Sequence, residues 1–327
     1  MKKENIIKIL GSILKEKQIS GIMAVLGLMI VIASLSSPYF LTAYNLKAVI
    51  RSLAFVSIVA VGQGCLLLLG EIDLSVGSIA GLCGVIGGIL MVNVGINPYL
   101  SLILCLLLGA ILGMLNGLIT VHLKLSSLIV TIGTAGIYKG INLVMSEGRA
   151  ITDIPKEIYF LGQGYLFNIP LPFIIMLVVL VLIVFLTKYT PFGRYMYAVG
   201  NSKEASWILG IKVNFIRITT FMITGLLAAL AGMIMVARLG SSQPAIGELW
   251  VLNSIAAAVI GGVALTGGIG NPAGALVGAT IIGVIENIIV LYGVSVYWQT
   301  AVSGVIIVGA VALDSISRMG ALRKKNI

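Results

Sequence analysis

The sequence predicts an all-α fold, a polytopic membrane protein of about ten transmembrane helices with Gly-broken segments and an internal repeat. Three observations support this. Apolar residues make up 59% of the 327 residues and charged residues only 10%, with a mean hydropathy of +1.14, whereas soluble domains are about a quarter charged. Apolar runs of about 20 residues, long enough to cross a bilayer as a helix, recur along the chain. Basic residues lie at the edges of these runs.

The same composition excludes several functional classes. A soluble enzyme is incompatible with this hydropathy, and we expect no catalytic residues, no metal and no cofactor. The net charge of +10 does not indicate a nucleic-acid partner, because aromatic residues are few and the basic residues flank apolar runs. Cys65, Cys83 and Cys105 all lie in apolar runs and His122 is the single histidine, so a metal centre is not expected.

The predicted spans follow a basic, amphipathic and cytoplasmic lead at residues 1–19, all within one transmembrane domain, 1–327. Their limits are 20–36, 52–69, 75–92, 98–121, 127–145, 168–186, 216–237, 252–266, 273–291 and 296–313. With the N-terminus inside, fifteen of the 21 basic residues fall in cytoplasmic segments. This bias predicts two cytoplasmic termini and an even number of spans.

Two connections are long enough to be more than turns. Residues 146–167 are predicted outside, with a short surface helix. Residues 187–215 are predicted inside, and their mixture of charged and apolar residues is typical of an amphipathic helix that binds a protein groove; a plain solvated loop is the alternative. Glycine pairs at a spacing of four, Gly77/Gly81, Gly109/Gly113 and Gly274/Gly278, predict close helix contacts.

Two matching breaks interrupt the apolar runs. The segment Ser57–Gly81 aligns without gaps on Ser254–Gly278, 197 residues further on, and five of the nine identities are glycines or alanine. Chance similarity in this composition is the alternative. Each copy is an apolar run, a Gly-rich break and a new helix start, which is typical of a transporter pathway. The span count implies that the copies run parallel, and an inverted pair stays open.

Polar residues inside spans are functional candidates by default. Our candidates for the substrate pathway are Glu71, Asp73, Asn116, Lys139, Asn142, Asn271, Glu286 and Asn287. For Asp73 we favour capping or orienting the new helix start. For the asparagines, hydrogen bonding between helices is an equal alternative to binding solute hydroxyls. Glu286 lies mid-span, and we predict that it faces a dimer axis or a water-filled path, with Lys139 as a hypothetical ion-pair partner.

The chain resembles the permease subunit of bacterial ribose/galactose/xylose-type ATP-binding-cassette (ABC) sugar importers. The segments that carry the resemblance cover nearly the whole chain in order: LSSPYFLTAYNL (35–46), GEIDLSVGSIAGL (70–82), TIGTAGIYKGINLVMSEGRAI (131–151), FGRYMYAVGNSKEASWILGIKVN (192–214), residues 237–279 around GGIGNPAGALVG, and WQTAVSGVIIVGAVALD (298–314). Three positions depart from the family pattern, namely Glu71, Lys139 and Glu286, and they put the usual sugar in doubt.

The resemblance implies a bacterial inner-membrane complex. Its partners would be two cytoplasmic ATPase subunits, a second permease copy (identical or homologous), and a periplasmic or lipid-anchored extracellular sugar-binding protein that delivers the solute. It places an ATPase-coupling loop at Gly193, Arg194, Lys203, Glu204, Ala205 and Gly210. The chain has no Gly-Lys-Ser or Gly-Lys-Thr, so any ATP would be hydrolysed by partners. A branched-chain amino acid ABC permease and an ion-coupled secondary transporter, with Asp73 and Glu286 as ion sites, are the alternatives.

Overall fold

A computed structural model describes residues 17–295 and, beyond them, residues 298, 301, 304, 305, 308 and 309. Most of the predicted span 296–313 and nearly all of the lead 1–19 therefore lie outside the described residues. In chain order the helices are α1 (Lys17–Ser36), α2 (Ala43–Leu68), α3 (Val76–Val92), α4 (Pro98–His122), α5 (Ser127–Ser146), α6 (Tyr159–Gln163), α7 (Leu171–Tyr189), α8 (Pro191–Asn201), α9 (Lys203–Ile208), α10 (Val213–Leu239), α11 (Trp250–Ile260) and α12 (Gly274–Leu291). A 3-10 turn, Lys156–Ile158, precedes α6, and a small hairpin pairs β1 (Tyr165–Leu166) with β2 (Ile169–Pro170).

Six of the described helices are long and apolar enough to cross a membrane, namely α2, α4, α5, α7, α10 and α12. The apolar stretch Leu26–Ser36 and the helices α3 and α11 are shorter. The all-α, multi-pass prediction is confirmed by these helices. The count of ten spans stays a prediction, because half-length helices and a span outside the described residues are needed to reach it.

Two helix boundaries differ from the predicted limits for clear reasons. Helix α2 begins at Ala43 rather than at 52, since the Thr42 hydroxyl accepts a hydrogen bond from the Asn45 N–H and caps the helix. Hydropathy missed this start because Lys47 and Arg51 lie in its first turns. Helix α11 ends at Ile260 rather than at 266, because Gly262 and the glycines after it have positive φ angles that a helix cannot continue through.

The predicted glycine pairs all lie at close backbone contacts. On α4, Gly109 and Gly113 pack against the backbone of α10, at Gly225 and Phe221. On α12, Gly274 and Gly278 pack against the α11 end in the same way. The closeness of these helices leaves no space for a Cβ atom, so the small residues are required by packing.

The glycine pair on α3 packs against something other than a helix. A Cβ on Gly77 would meet the carbonyl oxygen of Gly247, and one on Gly81 would lie 2.8 Å from that of Ile246. Residues 240–249, between α10 and α11, are not helical. An irregular segment therefore lies along the glycine face of α3, an arrangement that membrane proteins tolerate where backbone is buried in protein or lines a cavity.

Both long connections contain helices. In 146–167, the short helix α6 packs its Gly162 onto the backbone of Ala237 and Arg238 at the end of α10, so the predicted short helix is confirmed. The segment 187–215, called the connector below, is mostly helical, since it contains α8 and α9. Its helix α8 also contacts the chain at both Gly-rich breaks.

Candidate functional site

The first break, residues 69–75, joins α2 to α3 inside the protein. Gly70 has a φ of +68° and turns the chain out of α2. The Asp73 carboxylate then accepts hydrogen bonds from the backbone N–H and the hydroxyl of Ser75, each at 2.7 Å, with Oδ1 as acceptor. Because Ser75 directly precedes α3, these bonds set the direction in which the new helix starts.

Asp73 also anchors a buried polar network between helices. Its Oδ2 accepts a hydrogen bond of 3.3 Å from the Asn116 amide on α4, which also donates to the Ser75 hydroxyl at 2.7 Å. The Tyr138 hydroxyl on α5 donates to Asn116 Oδ1 at 3.1 Å. Asp73, Ser75 and Asn116 are fully buried. Their polar atoms satisfy one another, so this network stabilises the break from within.

Glu71 binds cations rather than the helix start. Its Oε1 accepts from Lys203 Nζ at 2.7 Å and from Arg217 Nε at 2.9 Å, and Arg217 Nη2 lies 2.6 Å away. The Glu71 side chain is 4% exposed, that of Arg217 14% and that of Lys203 40%. Burial raises the pKa of the Glu71 carboxyl. Hydrogen bonds from Lys203 and Ser127 and the charges of Arg217 and Lys203 outweigh burial and hold this pKa below the ordinary glutamate value.

The second break, residues 261–273, uses the same turn with an amide. Asn271 Oδ1 accepts a 3.0 Å hydrogen bond from the Ala273 N–H, directly before α12. This is the bond that Asp73 accepts from Ser75, two residues on. The sequence alignment set Gly270 opposite Asp73. The structure corrects this, because the equivalent helix-start residue is Asn271, at a spacing of 198 rather than 197.

The two breaks meet, and the connector closes over their junction. The Gly268 N–H donates to the Leu68 carbonyl at 2.8 Å. Gly200, near the end of α8, lies so close to both of these groups that a Cβ there would collide with backbone. The Tyr197 hydroxyl donates to the Gly270 carbonyl at 2.9 Å. Helix α8 is thus joined to both breaks through backbone atoms.

A cavity of about 300 Å³ opens between α3, α5 and the irregular segment 240–249. It is lined by Gly77, Ser78, Lys139, Asn142, Pro244, Ile246, Glu248 and Val251. Asn142 donates to the Pro244 carbonyl at 2.9 Å, while its own buried Oδ1 has no hydrogen-bond partner among the described residues. Two candidate residues, Lys139 and Asn142, therefore share one polar cavity.

The hypothetical Lys139–Glu286 ion pair is wrong. Lys139 Nζ contacts Glu248 at 2.8 Å, and Glu286 Oε1 accepts from the Asn253 amide at 2.9 Å. The two residues lie on helices with different neighbours, since α5 packs on α3, and α12 packs on α11 and α2. The sequence offered no means of knowing which spans are neighbours.

The eight pathway candidates thus fall into separate groups. Asp73 and Asn116 share the buried network, Lys139 and Asn142 the cavity, and Glu71 and Asn271 the two breaks. On α12, Glu286 binds Asn253, while Asn287 exchanges hydrogen bonds of 2.9 and 2.8 Å with Asn45 on α2. A pathway role for each of them stays a prediction.

Several partner residues escaped the sequence reasoning. They are Asn45, Arg217, Glu248 and Asn253, together with Ser75 and Tyr138 in the buried network. Asn45 lay outside the predicted span 52–69, so a correct limit for α2 would have brought it under the rule that selected Asn116 and Asn142. Asn253 lay within the predicted span 252–266, where the same rule applied but did not select it. Arg217 was considered only as a cytoplasmic basic residue. Its contact with Glu71 joins residues 146 apart in the chain and follows from the tertiary structure.

The connector presents an exposed apolar surface. Trp207, Ile208 and Leu209, at the end of α9, are 73%, 76% and 78% exposed. Beside them a groove of about 630 Å³ is lined by Phe192, Tyr195, Leu209, Gly210, Ile211, Lys212, Phe215 and Ile216. Single exposed apolar residues are common, but three in succession beside a groove are typical of a protein-binding surface.

The predicted coupling residues frame this surface. Gly193 packs on the backbone of Thr187 where α8 begins, and Gly210 ends α9 with a φ of +77°. Arg194, Glu204 and Ala205 are exposed. Lys203 differs from the others, because its side chain turns towards Glu71.

A bundle of apolar helices with paired polar breaks defines a multi-pass membrane permease. Comparison with known families agrees: the family model described as "Branched-chain amino acid transport system / permease component" matches residues 45–311. The ribose import permease protein RbsC of Bacillus subtilis is 39% identical over 308 residues, 92% of this chain and 95% of that protein. RbsC of Haemophilus influenzae is 37% identical, over 88% of this chain and 90% of its own length. The autoinducer 2 import system permease protein LsrC of Photorhabdus laumondii is 33% identical, over 95% and 92%. The chain belongs to this permease family and is a multi-pass protein of the inner membrane.

Proposed function

We propose that this chain is the membrane-spanning permease of an ABC importer and forms the path for a sugar or sugar-like solute. The observation that carries the proposal is the 39% identity with a ribose import permease across almost the full length of both proteins. The autoinducer 2 permease relative supports the wider, sugar-like class. The branched-chain amino acid alternative rests on the broad family description alone.

The polar groups of the path suit a hydroxylated, uncharged solute. Asn142, Ser78 and the Pro244 carbonyl offer neutral donors and acceptors around the 300 Å³ cavity, and the unpartnered Asn142 Oδ1 is free to accept from a solute hydroxyl. Lys139 and Glu248 neutralise each other at 2.8 Å. Weak contacts of this kind are sufficient when an external binding protein supplies the affinity.

Partner subunits complete the proposed complex. Two ATPase subunits bind the connectors of two permease copies, identical or homologous, and a periplasmic or lipid-anchored extracellular protein delivers the solute. The exposed Trp207, Ile208 and Leu209 with their groove support ATPase docking at the connector. We further propose ten spans, two cytoplasmic termini, and two breaks that are copies of one repeat; the shared turn at Asp73 and Asn271 supports the repeat.

Reconstitution tests the function. The cognate binding protein is first screened for its ligand, starting with ribose, and the permease is then reconstituted in proteoliposomes with its ATPase. We expect uptake of the labelled ligand that needs both ATP inside and the loaded binding protein outside. Uptake driven by an ion gradient without ATP would contradict the proposal, and a binding protein selective for branched-chain amino acids would contradict the sugar class.

A docking variant tests the connector. We expect Glu204→Arg with Ala205→Arg to abolish co-purification of the ATPase while membrane insertion stays unchanged, because both positions are exposed and adjacent to Trp207. The matched control is Lys156→Gln with Glu157→Gln, exposed charges of the 146–167 segment. Unchanged co-purification of the double-arginine variant would move the docking site elsewhere.

A further inference from the structure

Glu71 is unusual in having two cationic partners that differ in exposure. Its Oε1 contacts Lys203 at 2.7 Å and Arg217 at 2.6 Å. The Arg217 side chain is 14% exposed and the Lys203 side chain 40%. A buried carboxylate needs at least one partner, because an unpaired buried charge is strongly unfavourable. Because Arg217 also binds Glu71, breaking the Lys203 contact would still leave Glu71 paired.

The two cations belong to different parts of the molecule. Arg217 lies near the start of α10, the central helix of the core, which packs on α4, α2 and α3. Lys203 is the first residue of α9, whose other end carries the exposed Trp207 and Ile208. Arg217 is therefore fixed to the core, whereas Lys203 is fixed to the surface that meets a partner.

Helices α8 and α9 are joined to the breaks in different ways. Helix α8 is held by close packing of Gly200 on the Leu68 carbonyl and by the Tyr197 hydrogen bond to Gly270. Helix α9 is held to the first break by the terminal atom of one flexible lysine. Ser202, between the two helices, is in an extended conformation. A pull on α9 therefore acts on the Lys203–Glu71 contact while α8 stays packed.

We propose that the Lys203–Glu71 contact is a releasable latch between the ATPase-docking helix α9 and the first break, with Arg217 as the fixed counter-ion of Glu71. Glu71 is a positioning residue: it transmits movement of the docked ATPase to the start of α3, through Asp73 and Ser75, two and four residues beyond it. This inference rests on the proposed function, since it requires an ATPase bound at α9.

The second break shows that the latch is not part of every break. The residue that corresponds to Glu71, two positions before Asn271, is Ile269, and the neighbouring Gly268 N–H donates to the Leu68 carbonyl. The second break is thus tied to the first by backbone, without a titratable group. Among the described residues, only the first break has an ion pair with the docking helix α9. The latch therefore acts on the first break directly and on the second break through the first.

The experiment measures solute transported per ATP hydrolysed in proteoliposomes that contain the complete importer. For Lys203→Gln we expect normal co-purification with the ATPase and continued ATP hydrolysis, with transport per ATP reduced at least about fivefold, the size of a modest coupling energy. Lys203→Arg, which keeps the charge and reaches Glu71, should restore most of the ratio. Lys156→Gln, the same change at an exposed lysine of the 146–167 segment, should leave it unchanged.

A double variant tests whether Lys203 and Glu71 act through one contact. Glu71→Gln should lower the ratio at least as much as Lys203→Gln does, because it also removes the Arg217 contact. Adding Lys203→Gln to it should lower the ratio no further, since the Lys203–Glu71 contact is already broken. An unchanged ratio in Lys203→Gln, or additive losses in the double variant, overturns the latch. Loss of ATPase co-purification in Lys203→Gln overturns it too and makes Lys203 a docking contact. Failure of the unsubstituted assembly to couple uptake to ATP overturns the proposed function, and the latch with it.

Discussion

The two breaks solve one physical problem with different chemistry. Each ends an apolar helix inside the protein and starts another, and each starts the new helix with a side-chain oxygen that accepts the N–H two residues on, Asp73 in the first and Asn271 in the second. The first break adds a second acid, Glu71, which binds Lys203 of the connector and Arg217 near the start of α10. The second has Asn271 and Ile269 at the corresponding positions, and its Gly268 N–H donates a hydrogen bond to the Leu68 carbonyl beside the first break.

This difference separates the residues that shape each break from the residue that links the first break to other helices. A turn that recurs in both breaks with either an acid or an amide needs an acceptor, not a charge. A charge that occurs in one break alone and reaches cations 132 and 146 residues away connects that break to another part of the molecule. The predictions below test this distinction, from the largest expected effect to the smallest.

The largest effect is expected at Gly200, which packs on both breaks at once. Gly200→Ala places a methyl group against the Leu68 carbonyl and the Gly268 N–H, so both breaks have to move. We expect a loss of roughly 3 kcal/mol or more in stability and little monodisperse protein in detergent. Gly27→Ala, in open space on α1, is the control and should be neutral or stabilising. Equal yields for both variants would show that the junction is loose.

The next largest loss of stability is expected for Glu71→Gln, since it leaves the poorly exposed Arg217 without its carboxylate. We expect a loss of about 2 to 3 kcal/mol, below the full value for a buried pair because Lys203 regains water. The thermal midpoint in detergent measures it, with Glu157→Gln as the exposed control. A midpoint equal to the control would mean that the Glu71 contacts add no stability.

The same residue predicts an acid dependence. Because the folded-state pKa of Glu71 is lowered, its contribution is complete above the unfolded glutamate pKa of about 4.3 and is lost as the pH falls through the lower folded value. The stability difference between the unsubstituted protein and Glu71→Gln should therefore be constant at neutral pH and shrink below about pH 4. A difference that shrinks near neutral pH would assign the effect to another group.

Asp73→Ala should cost about 2 kcal/mol, because the Ser75 N–H and the Asn116 amide lose a buried acceptor. Asp73→Asn, which keeps an acceptor for the helix start as Asn271 does in the second break, should cost less. Thermal midpoints compare the two. If Asn is no better than Ala, the charge itself matters at Asp73 and the parallel with Asn271 fails.

The smallest effect is expected at the Lys139–Glu248 pair, whose side chains are 54% and 50% exposed. Lys139→Gln should change stability by less than about 1 kcal/mol, as exposed ion pairs do. Uptake should nevertheless fall, since Lys139 lines the proposed solute cavity. Uptake equal to that of Lys156→Gln would remove this cavity from the path.

Much of the architecture was readable from local sequence. Hydropathy predicted the membrane class and most spans, because a helix in lipid must be apolar over its own length. The glycine pairs on α4 and α12 predicted close helix contacts correctly, whereas the pair on α3 packs against the irregular segment 240–249 instead. Two boundaries were missed because hydropathy does not decide them. The Thr42 cap sets the helix start at Ala43, and glycines with positive φ set the helix end at Ile260.

By itself, the sequence determined that the chain holds apolar segments of membrane-spanning length, where it breaks, and that Asp73 stands at a helix start, because each of these depends on neighbours within a few residues. Only the tertiary structure decided which charges meet. Glu71 lies on Lys203 and Arg217, Lys139 on Glu248 rather than Glu286, and Gly200 on both breaks at once. Contacts between residues so far apart in the chain follow from which helices pack together. The free energy of that packing comes from the whole core, so no single segment of the sequence predicts it.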